Sequence, residues 1–326
     1  MTSALLKDLN PEQQQAVLHT DGPAIILAGA GSGKTRVLTY KVLYLIVEKN
    51  IEPDSILMVT FTNKAAGEMK ERIKRVLEEH DVRVGVMPWV ATFHSLCARI
   101  LRMDGKALGF SDRFVIYDSQ DQVEAVKQAM QRLDISTKDF KPGSIHGTIS
   151  SAKNELITAE EYHTFARGTF QEVVAKIYPV YQSILKANDA LDFDDLISQT
   201  IKLLKEHKHL LDRYRDRFRY ILIDEYQDTN KAQYMLTKLI VKEPAAGQNV
   251  SVVGDFSQSI YSWRGADYKN LIRFKDDFPG AKTFSLSQNY RSTQKILDAA
   301  STVISKNKSH PVLQLWTENP DGEEIE

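Results

Sequence analysis

The 326-residue chain holds a single cysteine, Cys97, so an internal disulfide is excluded and the usage fits a reducing compartment. No apolar run approaches the ~20 residues of a membrane span. The opening MTSALLKDLN lacks the basic region and long apolar run of a secretory signal. The expectation is a cytoplasmic protein with no membrane partner. Eight histidines are scattered without a Cys/His cluster, which argues against structural zinc. The charges nearly cancel, at −1, so no strongly cationic surface is expected. A nucleic-acid partner would have to be held by local contacts rather than bulk charge. Internal repeats and low-complexity tracts are also missing.

What is present is ordinary for a globular chain: 42% hydrophobic and 26% charged residues, over a length that suits about two domains. Five short apolar runs stand out, each followed at once by unusual polar residues: Ala24–Ala28, Ile56–Thr60, Trp89–Thr92, Tyr220–Asp224 and Val250–Val253. Most lack polar alternation, as parallel strands covered on both faces do. Helical patterns such as Thr35–Val47 and Lys64–Glu79 separate several of them. The pattern predicts an α/β fold, a doubly wound parallel sheet, with ligands beyond the carboxyl ends of its strands. Between 109 and 188 the texture turns helical, with Ser119–Leu133, Ser144–Leu156 and Phe170–Asn188 as amphipathic helices, Pro142 and Pro179 as interruptions, and no convincing strand. The expected division is a discontinuous α/β core at 1–108 and 189–280, an inserted helical domain at 109–188, and a further segment at 281–326. That last part opens with Thr283–Leu286 and a helix ending near Asn307.

Ala28-Gly-Ala-Gly-Ser-Gly-Lys-Thr35 matches the phosphate-binding P-loop pattern, with Ala28 in place of the first glycine. Gly29, Gly31 and Gly33, with Ala30 and Ser32 between them, permit a tight loop whose backbone N–H groups face a β-phosphate, ahead of a helix N-terminus. Lys34 would reach the β- and γ-phosphates, and Thr35 would bind Mg²⁺. Tyr220-Ile-Leu-Ile-Asp-Glu225 supplies the other half: Asp224 to hold Mg²⁺ and Glu225 to polarise an attacking water, which implies hydrolysis. Arg36 is a further nucleotide-contact candidate. The stretch Ser251–Asp267 begins as a buried strand and continues into Gln258, Tyr261, Trp263 and Arg264, a polar amide beside aromatics and a cation.

These pieces, in this order, resemble superfamily 1 DNA helicases of the UvrD/PcrA/Rep type over nearly the whole chain, the PcrA-like members nearest. The resemblance implies that Gln13, in Leu9-Asn-Pro-Glu-Gln13, reads adenine. It makes Ile223–Asn230 the Walker B element. It gives the strand contacts to Thr60–Ala66, with Phe61, Thr62 and Asn63, and to Ala91–Ser95, with Thr92 and His94. Phe61 and His94 fit either base stacking or core packing. By the same resemblance Gln258 senses the γ-phosphate, Trp263 stacks on a base beside Tyr261, and Arg264 contacts the DNA strand. In Gln288–Thr293, Tyr290 stacks on adenine and Arg291 acts as an arginine finger. Asp192–Asp195 has a counterpart too. The implied activity is ATP- and Mg²⁺-dependent 3′→5′ movement along single-stranded DNA and opening of duplexes at single-strand/double-strand junctions. This chain would be the N-terminal portion, with a first RecA-like ATPase domain at 1–108 and 189–280 and the truncated start of a second at 281–326, hydrolysing ATP poorly and not unwinding alone. Two other readings stay open: a P-loop ATPase or kinase acting on a small molecule, and a DNA-binding module that ATP merely orders.

Overall fold

The computed structural model describes residues 4–241, 247 and 249–325. Its strands are β1 (Ala24–Ala28), β2 (Ile56–Thr60), β3 (Trp89–Thr92), β4 (Val115–Ile116), β5 (Ala190–Leu191), β6 (Tyr220–Ile223), β7 (Val250–Gly254) and β8 (Lys282–Leu286). Six of them form one sheet in the order β3-β2-β6-β7-β1-β8, and every pairing is parallel. The five apolar runs are all strands of this sheet. Successive strand residues alternate between two cores, with Ile25, Ile221 and Ile223 on one face and Ile26, Tyr220 and Leu222 on the other. Both faces are apolar because helices cover both, the reason the runs show no polar alternation.

Parallel strands deliver all their carboxyl ends to one rim. Read along it, the sheet presents the loops after β3 and β2, then those after β6, β7 and β1, then that after β8. Crossovers thus bring together segments more than 200 residues apart in sequence.

Three expectations need correction. The run at Thr283–Leu286, expected to head a second unit, pairs along β1 from Ala24↔Lys282 to Ala28↔Leu286 as the sixth strand of this sheet. Pro142 and Pro179 interrupt nothing: the former is the first residue of helix Pro142–Asn154 and the latter lies inside helix Thr169–Ala187. A proline needs no N–H at a helix start. Pro179 lies on the exposed side of its helix, where it removes one hydrogen bond without ending the helix. Residues 109–188 are also not strand-free. At the neck of the helical insert β4 pairs with β5, Val115↔Ala190 and Ile116↔Leu191. The insert has its own core, including Val126, Ile149, Ile177 and Tyr181.

Candidate nucleotide and nucleic-acid site

The loop after β1 runs directly into helix Lys34–Val47, whose N-cap is Gly33 in the left-handed region at φ 87°. No side chain caps that helix, so its first N–H groups stay open to an anion. Gly31, at φ 69°, also lies where a Cβ would meet Arg291 Cβ and Asn289 Nδ2, each at 2.8 Å. Glycine is required there by backbone angle and by space. The Asn289 amide donates to the Ala30 carbonyl at 2.6 Å, and the Tyr290 N–H to the Gly31 carbonyl at 3.0 Å. The segment carrying Arg291 is therefore pinned to the P-loop.

Lys34 connects three strands. Its Nζ lies 3.3 Å from Glu225 Oε2, at the end of β6, and donates to Gln258 Oε1, beyond β7, at 3.1 Å. Glu225 holds a left-handed backbone at φ 50°, unusual for a residue with a side chain. Such strain persists where the surroundings impose it, commonly at functional sites. Gln227, which the sequence reading did not single out, donates to Glu225 Oε2 at 2.9 Å and accepts from the Asp255 N–H at 3.1 Å. Asp255 in turn accepts from Gln258 Nε2 at 2.6 Å. Gln227 and Asp255 thus close a ring joining the Glu225 carboxylate to Gln258.

The Asp224 carboxyl is pushed up to about 7, first by burial and then by Glu225 beside it. Asp228 is raised to about 6 for the same two reasons, and its Oδ1 is buried without a hydrogen-bond partner. Three crowded carboxyls with one lysine make a site that favours an added cation. Among the described residues no group of three His, Cys, Asp or Glu could hold a metal unaided. A hydrated cation that arrives with phosphate oxygens needs no all-protein cage. Thr35 and Asp224 are the residues that would hold it, and it would neutralise charge on a phosphate.

Gln13 is 2% exposed, and both ends of its amide are engaged: Nε2 donates to the Ser32 carbonyl at 3.0 Å and Oε1 accepts from the Asn10 N–H at 3.2 Å. It braces the P-loop in this state. Beside it lie Asn10, the buried Gln288 and the half-exposed Tyr290, whose hydroxyl accepts from Asn10 Nδ2 and donates to Gln288 Oε1, both at 2.8 Å. Arg36 donates to the Asp8 carbonyl at 2.8 Å, and the Arg291 side chain is exposed. Helix Pro11–Leu18, which carries Gln13, is anchored by buried Lys41, donating to the Ala16 and His19 carbonyls at 3.1 and 2.5 Å. Burial lowers Lys41 from 10.5 to about 7. Between these values the unfolded chain holds a proton that the folded one has released, so stability rises with pH across that window. Thermal melting from pH 7 to 10 should show that rise, and Lys41→Met should flatten it.

The nucleic-acid candidates divide. Phe61, after β2, stacks on Tyr261 at a centroid distance of 5.0 Å and 25° between planes, and Tyr261 lies 6.4 Å from Trp263. Trp263 is 71% exposed. An exposed aromatic tilted against a stack that spans two strand ends makes a platform rather than a core. The Arg264 side chain lies outside the described residues. Thr62 and Thr92 cap helices: each hydroxyl accepts from the N–H three residues on, Ala65 and Ser95, at 3.1 Å. Asn63 Oδ1 accepts from Ser95 Oγ at 3.3 Å and ties the two loops together. His94 lies edge-on to Phe193 at 6.1 Å, and burial lowers its pKa. Thr62, Asn63 and Thr92 hold the two loops in place, and Phe61, Tyr261 and Trp263 form an aromatic row.

The geometry can be set against known proteins. The family model for the UvrD/REP helicase N-terminal domain matches residues 9–279. The chain belongs to this family. ATP-dependent DNA helicase PcrA of Bacillus subtilis is 49% identical over 100% of this chain and 43% of its own length. The PcrA of Staphylococcus epidermidis is 47% identical over 99% of this chain and 44% of its own. The chain therefore spans less than half the length of these curated relatives. Among solved structures, a Pif1 helicase from Candida albicans aligns with a TM-score of 0.38 at 13% identity, covering 85% of this chain and 40% of that one. Within the UvrD/REP frame the matched region takes in the P-loop, the β6 and β7 loops and the whole helical insert, and stops short of β8. No described helix is long and apolar enough to cross a membrane.

Proposed function

We propose that this chain is the ATP-binding and partial DNA-binding portion of an ATP-driven, Mg²⁺-dependent translocase that moves 3′→5′ along single-stranded DNA and opens duplexes at junctions. The observation that supports this most is the path of one loop. Gln258 bonds the P-loop lysine, and five residues later Trp263 stands exposed in an aromatic row. A γ-phosphate would enter between Lys34 and Gln258, so its loss would release Gln258 and shift the stack, a local change with a mechanical readout. Base stacking tolerates any sequence, as a motor requires. In the supported assignment Lys34 neutralises phosphate charge, Glu225 orients water, and Arg291 supplies a second cation as the loop after β8 closes. Tyr290, with Asn10 and Gln288, would form the face on which adenine lies. The protein would work in the cytoplasm, on DNA.

Trp263→Ala tests the division of labour. Affinity for oligo(dT) should weaken by about 1–3 kcal/mol, the worth of one stacked base, while nucleotide binding stays within twofold. Equal loss of both would refute it. A small-molecule kinase or ATPase would instead show ATP turnover indifferent to single-stranded DNA.

A further inference from the structure

Helix Pro142–Asn154 of the insert ends at the sheet unit, and its last residue makes a contact that packing alone does not demand. Asn154 Nδ2 donates to the Ser150 carbonyl at 2.9 Å and to Asp194 Oδ1 at 3.1 Å. That orientation turns its Oδ1 outward, where it accepts from Asn230 Nδ2. Neither amide is free to flip. A carboxylate can only accept from Asn154, and Asn230 Oδ1 must accept from the Gln233 N–H, at 2.9 Å, to cap helix Lys231–Ile240.

Asn230 closes the segment that begins with Asp224 and Glu225. The loop bearing Trp263 rests on the same pair: a Cβ on Gly265 would lie 3.8 Å from Asn230 Cβ and 3.9 Å from Asn154 Cβ. The loop is also bonded to the Walker B segment, with the Asp267 N–H donating to the Thr229 carbonyl at 3.1 Å. Three parts thus meet at two asparagine side chains.

We propose that Asn154 is a positioning residue through which the helical insert follows the nucleotide state, by way of Asn230 and the Gly265 turn. It touches neither phosphate nor base. Its place requires that movement of the Glu225–Asn230 segment on hydrolysis be passed to the insert together with the Trp263 loop. The inference rests on the DNA-stimulated ATPase reading above.

The test uses the complete protein with Asn154→Ala and, separately, Asn230→Ser. Serine keeps an acceptor for the helix cap but loses the amide that reaches Asn154. ATP turnover is measured with and without oligo(dT), alongside KM for ATP. Each variant should lose about 5- to 10-fold of the DNA-stimulated kcat, a usual size for coupling between sites. Basal turnover and KM of Asn154→Ala should stay within twofold, and in DNA-stimulated kcat the double variant should be no worse than either single one, as expected of residues acting through one contact. A merely structural role would instead lower basal and stimulated turnover together. That result, additive losses, or undiminished stimulation would each overturn the proposal. Absence of DNA stimulation in the unmodified protein would instead refute the functional reading on which it rests.

Discussion

Lys34→Ala in the complete protein should lower ATP turnover by roughly 10²–10³-fold, the usual cost of removing one donor aimed at transition-state charge. The expectation follows from what surrounds the ammonium. Lys34 Nζ is 3.3 Å from Glu225 and 3.1 Å from Gln258, within a nest of carboxyls where burial, and then crowding by Glu225, already raises Asp224 and Asp228. Without it, the carboxyls face the incoming phosphates with no counter-charge from the P-loop. Folding should suffer little. The Glu225 partner is 35% exposed, and so open an ion pair contributes about 0–1 kcal/mol. A collapse of kcat with a melting temperature shifted by only a few degrees is the expected pair of results. Lys34→Arg should not restore activity, since a planar fork does not replace a point charge in a loop shaped around it. Turnover within tenfold of the unmodified protein would remove Lys34 from the chemistry.

How far the sequence anticipates this site depends on whether the information is local. The P-loop and the Asp224–Glu225 pair are legible because backbone geometry and side-chain chemistry lie within a few consecutive residues. Strand identity is likewise legible from apolar runs, but strand neighbours are not. Nothing local in Lys282–Leu286 announces that it pairs with β1 rather than founding a new sheet. Gln227 and Asn154 were missed for a related reason. Their partners, Asp255 and Asn230, lie 28 and 76 residues away, and an isolated amide gives no signal until the fold closes. Thr62 and Thr92 carry two local signals at once. Each immediately precedes a helix, the usual place for a capping threonine, and this local signal was available beside the DNA-contact reading.

The other large effect lies away from the nucleotide. Lys153, 3% exposed, donates to Asp192 Oδ2 at 2.5 Å and to Asp195 Oδ1 at 2.8 Å, bolting the insert to helix Phe193–Glu206. Tyr181 adds a hydrogen bond to Asp192 at 2.8 Å. Lys153→Met keeps the volume but strands two buried carboxylates, and breaking a buried pair in this way costs about 3–5 kcal/mol. A cavity of about 460 Å³, lined in part by Lys153, Gln182 and Asp195, lets water approach and sets the expectation at the lower end of that range. The loss should depend on pH. Burial, then the neighbouring Asp192, already pushes Asp195 from 3.8 up to about 7, whereas Asp192 is held low by Lys153 against its own burial. Without the ammonium both carboxyls favour the protonated form in the folded state. Between pH 4 and 7 the folded variant then holds protons that the unfolded chain has released, and its stability falls as pH rises. Urea unfolding at pH 5 and pH 8 should therefore show a larger deficit at pH 8. An equal deficit at both values would mean that lost packing, and not the stranded charge, carries the effect.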